Sequence, residues 1–148
     1  DRIGLNGRMD TIQATILLSK LSIYDQEVSL RQDVACKYSD RLKDCLETPY
    51  VSSEYLSVWA QYSILLPNEL IRKKVVKSLK DSNIPSMIYY QKPLHVQKAF
   101  SDLGYKFGDF PVSESISSRI LSLPMHPYLN DSDIDLICDK IIRVMQEC

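Results

Sequence analysis

The sequence predicts an α+β fold, a small antiparallel or mixed sheet covered by helices, with a long helix at its N-terminal end. Three observations carry that prediction. Apolar residues recur every three or four positions from Ile12 to Cys45, and neither Gly nor Pro occurs between Arg8 and Thr48. The run Ser57–Leu66 is β-branched and aromatic, with Val58, Ala60, Tyr62 and Ile64 on one face at period two. Beyond it the patterns read helix, strand, helix, helix, short strand, helix, which suits a narrow sheet under a layer of helices.

The first helix follows the turn Gly4-Leu5-Asn6-Gly7 and is expected to run, with a bend, to about Thr48, where Pro49 restricts its predecessor and lacks an N–H. Pro67-Asn68 opens the next helix, with Leu70, Val75, Val76 and Leu79 apolar, and it closes near Asp81-Ser82-Asn83. Ser86–Tyr90 reads as a short strand, Gln91-Lys92-Pro93 as a loop, and Leu94–Leu103 as a short helical stretch capped by Gly104. Val112, Ile116 and Ile120 place a helix over Pro111–Leu121, followed by an extended Ser122–Met125. The last helix takes Asn130 or Asp131 as N-cap, has acids near its positive end, and turns Ile134, Ile137, Cys138, Ile141 and Met145 inward. The organisation expected is one domain over residues 1–148, with a loop and long helix over 1–48 and an α+β sheet layer over 49–148.

Charge and composition narrow the function. Eighteen basic residues nearly balance nineteen acidic ones, so no whole-chain field exists to hold a nucleic-acid backbone or an anionic membrane, and neither partner is expected. No stretch approaches the length of a membrane span. Cys36, Cys45, Cys138 and Cys148 fit neither a zinc ribbon nor a compact disulfide framework, and are expected to be reduced thiols in a cytoplasmic protein. The N-terminus Asp1-Arg2-Ile3-Gly4 has neither an initiating Met nor a signal profile, so a piece of a longer protein is expected.

Residue chemistry alone goes little further. Asn6, Gly7 and Arg8 stand at the mouth of the first helix, where free N–H groups favour a phosphate, although by spacing alone a capping Asn and a solvated Arg are the commoner reading there. Tyr89, Tyr90 and His95 flank the rigid Pro93-Leu94 and present phenols and an imidazole to a ligand, or simply pack. Trp59 reads as a strand residue of the core, and His126 as structural. The two histidines have no acid or Cys at ligand spacing, so no metal site is expected, and no nucleophile elbow is present.

Four strings add what spacing cannot. Gly4-Leu5-Asn6-Gly7-Arg8-Met9-Asp10-Thr11-Ile12-Gln13-Ala14, Ser57-Val58-Trp59-Ala60-Gln61-Tyr62, Ile84-Pro85 through Pro93-Leu94-His95-Val96-Gln97, and Leu123-Pro124-Met125-His126-Pro127 occur in this order. Together they resemble the DegT/DnrJ/StrS family of sugar aminotransferases over about Gly4 to Val144. The resemblance implies the C-terminal small domain of a fold-type I, pyridoxal-phosphate-dependent transferase whose Schiff-base lysine lies outside these residues, so that the piece alone is inactive. It implies a homodimer moving an amino group, typically from glutamate, to a keto group of a nucleotide-linked sugar for surface polysaccharide, with UDP as the closest fit. By position, Asn6 matches the residue reaching the cofactor phosphate of the neighbouring subunit. Arg8, Tyr90 and His95 match substrate-facing positions, and Tyr89 stands where many members have His. A stand-alone binding or dimerisation module is the alternative.

Overall fold

In a computed structural model, described here over residues 7–147, the chain forms five α-helices and a two-stranded antiparallel sheet. The first expected helix is two. Helix α1 (Thr11–Leu21) and α2 (Tyr24–Leu42) are separated at Ser22-Ile23. There the Ser22 hydroxyl donates to the Ser19 carbonyl and the Ile23 N–H to the Lys20 carbonyl, local bonds that compete with the helical ladder. Asp10, not Asn6, caps α1, accepting from the Gln13 N–H at 2.9 Å. Helix α2 ends at Leu42, several residues before Pro49.

Strand β1 (Tyr62–Leu65) is shorter than the apolar run that predicts it. It pairs with β2 (Ile120–Leu123), Tyr62 opposite Leu123 and Leu65 opposite Ile120. Trp59 instead adopts φ +47°, left-handed backbone that no strand allows, and sits half-buried in a loop with its Nε1–H donated to Gln32 Oε1 at 2.8 Å. The expected strand at Ser86–Tyr90 reduces to one bridge, in which Met87 and Ser122 exchange backbone bonds of 3.1 and 2.8 Å.

Helix α3 (Glu69–Asp81) starts where expected, with Asn68 accepting from the Ile71 N–H. Helix α4 (Pro111–Arg119) stops two residues short of its expected end because Ile120 turns extended and enters β2. Between them, Leu94–Val96 and Lys98–Leu103 form 3₁₀ turns, and Gly104, at φ +75°, ends the second. Helix α5 (Asp131–Gln146) is capped by Asn130, which accepts from the Asp133 N–H at 2.8 Å.

The core lies on one face of the sheet. Tyr62, Ile64, Leu121 and Leu123 meet Val34, Tyr38 and Leu42 of α2, Val75 and Leu79 of α3, and Ile134, Ile137, Cys138 and Ile141 of α5. On the other face the Ser63 and Ser122 hydroxyls bond at 2.7 Å. Tyr38 donates to the Pro124 carbonyl at 3.0 Å, and the Tyr62 hydroxyl lies 2.7 Å from that of Ser39, so the buried phenols keep partners. Among the described residues no helix is long and apolar enough to cross a membrane. Cys36, Cys45 and Cys138 are free thiols, respectively exposed, half-buried and buried.

Helix α1 buries none of its side chains; Ile12, Ile16, Leu17, Leu18 and Leu21 all face outward. Its tether to α2 is polar. Lys20 Nζ and Tyr128 Oη donate to one oxygen of the buried Glu27, at 2.8 and 2.7 Å. The Lys20 bond and then the Tyr128 bond hold the Glu27 carboxyl below the usual range against the opposing effect of burial. A carboxyl lowered on folding adds stability above its unfolded pKa and loses it as pH falls through the folded value. Acidification from about pH 6 to about pH 3 is therefore expected to release α1, seen as lost amide protection in residues 11–21 after correction for intrinsic exchange, and Glu27→Gln is expected to abolish that dependence. Equal loss of protection in wild type and Glu27→Gln would remove the tether from the account.

Candidate functional site

The described residues place Tyr89 and Tyr90 together and the other candidates apart. The two tyrosines occupy the turn after the Met87 bridge, ring centroids 5.8 Å apart and 74° between planes, Tyr90 being the more exposed. They line an open cavity of about 630 Å³ whose other walls are Pro93, Leu94, Phe110, Pro111, Val112 and Ile116, with Lys92 and Asp109 as its charged groups. The lining is apolar with a few polar groups at the edge, the make-up of an organic-ligand site. The phenol rings offer stacking faces, and Lys92 a cation for an anionic group.

His95 is not among the residues lining this cavity. Its side chain, 7% exposed, turns to Glu114, with Nε2 2.9 Å from Oε1 of a carboxylate that is 6% exposed. The same Glu114 oxygen accepts from the Gly108 N–H at 2.8 Å and the Phe110 N–H at 3.3 Å. The imidazole also packs on Phe110, centroids 4.8 Å apart. Arg8 is exposed beside a separate recess of about 420 Å³ formed with Met9, Gln13, Ile16 and Leu17. Asn6 lies outside the described residues. His126 accepts from the Tyr128 N–H at 3.2 Å, a turn contact that suits its structural reading.

Glu114, Lys92 and Phe110 are the participants that sequence reasoning passes over. Glu114 carried one signal, an acid in the first turn of a helix opened by Pro111, where a carboxylate complements the dipole. Its link to His95, nineteen residues away, has no periodic trace. The placing of α4 is legible only in three dimensions, through the buried Arg72 of α3, whose Nη1 donates to the Ser117 carbonyl at 2.7 Å.

Set against known proteins, the profile of the DegT/DnrJ/EryC1/StrS aminotransferase family matches residues 1–142. The chain belongs to that family. It is similar to the UDP-2-acetamido-2-deoxy-3-oxo-D-glucuronate aminotransferase of Pseudomonas aeruginosa, with 41% identity over 93% of this chain and 37% of the relative. It is also 33% identical to the UDP-N-acetyl-3-dehydro-alpha-D-glucosamine 3-aminotransferase of Acidithiobacillus ferrooxidans, over 98% of this chain and 38% of that protein. A crystal structure of a DegT DnrJ EryC1 StrS aminotransferase from Brucella abortus superposes with a TM-score of 0.85 at 47% identity, covering 97% of this chain and 38% of the other. The chain thus spans little more than a third of the length of the relatives it matches.

Aminotransferases of the DegT/DnrJ/EryC1/StrS family depend on pyridoxal phosphate. The described residues do not by themselves enclose that cofactor. Their lysines are exposed, apart from the half-buried Lys140 of α5, and none is closed in an apolar pocket of the kind that prepares an amine for Schiff-base chemistry. Lys92 comes nearest, at the edge of the tyrosine cavity.

Proposed function

We propose that this chain is the C-terminal small domain of a pyridoxal-phosphate-dependent aminotransferase that moves an amino group from glutamate to a keto group of a UDP-linked acetamido sugar, in the cytoplasm, for surface polysaccharide. One observation carries the substrate side of the reading. In a chain similar to two aminotransferases named for UDP-linked keto sugars, two tyrosines and Lys92 converge on an open apolar cavity. A ring stacked on Tyr89 or Tyr90 would leave its phosphates within the field of Lys92.

In this reading residues 1–148 form the small domain, which closes the pocket and excludes water, while Asn6 and Arg8 belong to the shared face of a homodimer, Asn6 toward the cofactor phosphate and Arg8 toward the nucleotide sugar. The outward apolar side of α1, adjacent to Arg8, supports burial of that face in the whole protein. The cofactor supplies the electron sink of transamination when bound. The Schiff-base lysine is assigned outside these 148 residues, so the chain alone is proposed to be inactive.

The test is binding of UDP-N-acetylglucosamine to the complete encoded protein by calorimetry, with amino transfer from glutamate to the 3-keto form followed in parallel. Tyr90→Ala is expected to weaken the nucleotide sugar about tenfold, the size of effect found when an aromatic anchor is truncated. Unchanged affinity in both Tyr89→Ala and Tyr90→Ala would remove the cavity from the substrate site.

A further inference from the structure

We propose that Glu114 is a positioning residue for the tyrosine pair, fixing through His95 the far end of the loop from which Tyr89 and Tyr90 reach the cavity. The proposal rests on the substrate reading of that cavity given above. From Ile88 to Pro93 the chain forms no helix or strand, so its course depends on what holds its two ends. The near end is fixed by backbone, the reciprocal Met87–Ser122 pair on the sheet. The far end is held by side chains: Gln97 Nε2 donates locally to the Lys92 carbonyl at 3.0 Å, while His95, which follows Pro93-Leu94, ties the loop to another element by meeting Glu114 at 2.9 Å.

Glu114 gathers more than His95. Its Oε1 also holds the N–H groups of Gly108 and Phe110, so one atom ties the entry and exit of the segment 96–107 to the first turn of α4. Phe110, the residue before that helix, has no side-chain cap of its own, and Glu114 reaches back to its N–H as the acid of a capping box does. Phe110 in turn forms a wall of the cavity and packs against both His95 and Tyr105, at 4.8 and 5.1 Å between centroids. Glu114 itself does not line the cavity, so any effect on ligand passes through the groups it holds. Burial pushes its carboxyl up, but the bonds from Gly108, His95 and Phe110 outweigh it and keep the group below the usual range, an anion able to accept all three near neutral pH.

The experiment measures binding of UDP-N-acetylglucosamine to the complete encoded protein for wild type, Glu114→Ala, Glu114→Gln and Tyr90→Ala, with the thermal midpoint of each. Glu114→Ala is expected to weaken binding about tenfold, and the Glu114→Ala/Tyr90→Ala double variant to be no weaker than either single one, because residues acting as a unit are not additive. Glu114→Gln, which keeps an acceptor oxygen at the same place, is expected to stay within about threefold of wild type. If Glu114→Ala does not fold, His95→Ala makes the same comparison while leaving the backbone bonds of Glu114 in place. A lowered midpoint with wild-type affinity in Glu114→Ala, while Tyr90→Ala binds weakly, overturns the positioning role and leaves the substrate reading intact. Wild-type affinity in Tyr90→Ala and Tyr89→Ala overturns the substrate reading and this proposal with it.

Discussion

Tyr62→Ala is expected to cost about 3–5 kcal/mol of stability, enough to lower the thermal midpoint by about 10 °C in a domain of this size. The residue is fully buried where α2, the sheet and α5 meet. Its ring lies 5.0 Å from that of Tyr38 and 5.6 Å from that of Trp59, so truncation leaves a cavity walled by two rigid aromatics that cannot collapse into it. Burial pushes the phenol up to about 12, while its bond to Ser39 acts the other way, so the group stays neutral and the loss is one of packing. Tyr62→Phe separates the parts. It keeps the ring and removes only the Ser39 partner, at a cost of about 1 kcal/mol. Chemical denaturation of the two variants checks this, and equal losses would place the stabilisation in the hydroxyl instead.

The second large effect is expected at Cys138. Cys138→Asp should cost about 4 kcal/mol or more and leave little folded protein, because a carboxylate there would be desolvated while the cation felt at the site, Arg41, is already engaged by Asp135 and Asp139. The site already disfavours an anion: Cys138 is fully buried on α5, and burial pushes its thiol up to about 12. Cys138→Ala, which leaves only a small void, is expected to fold. Thiol labelling gives an independent reading of the same burial, since the exposed Cys36 should react at once and Cys138 only at the rate of unfolding. Prompt labelling of Cys138 in folded protein would mean that α5 is not seated as described.

What could be read in the sequence follows the range of each interaction. Asn68, Asn130 and Gly104 mark element ends through bonds or angles within three or four residues, and each stands where the pattern put it. The apolar spacing of α5 likewise names its buried face as far as Ile141, beyond which Val144 is buried and the expected Met145 only partly so. The errors come from distant partners or from competing local ones. The run at Ser57–Leu66 reads as one strand, yet the left-handed backbone at Trp59 breaks its extended course, and only Tyr62–Leu65 pair. The break at Ser22-Ile23 needs no Gly or Pro; two short bonds suffice. At the candidate site the tyrosine pair could be named from its string, but the inward turn of His95 could not. Nothing in Pro93-Leu94-His95 announces a carboxylate nineteen positions later.

The pairing of β1 with β2 joins residues 59 positions apart, and α2 finds its last neighbour only in α5. During synthesis, then, α2 leaves the ribosome with Val34, Ala35, Tyr38 and Leu42 uncovered; β1 follows with Tyr62, but the segment that completes their cover begins at Asp131. At the usual pace of translation that interval is on the order of ten seconds. Through it the nascent chain presents part of the apolar stripe on α2 as well as the one on α1, and a chaperone able to hold both would lose its hold on α2 once α5 is made.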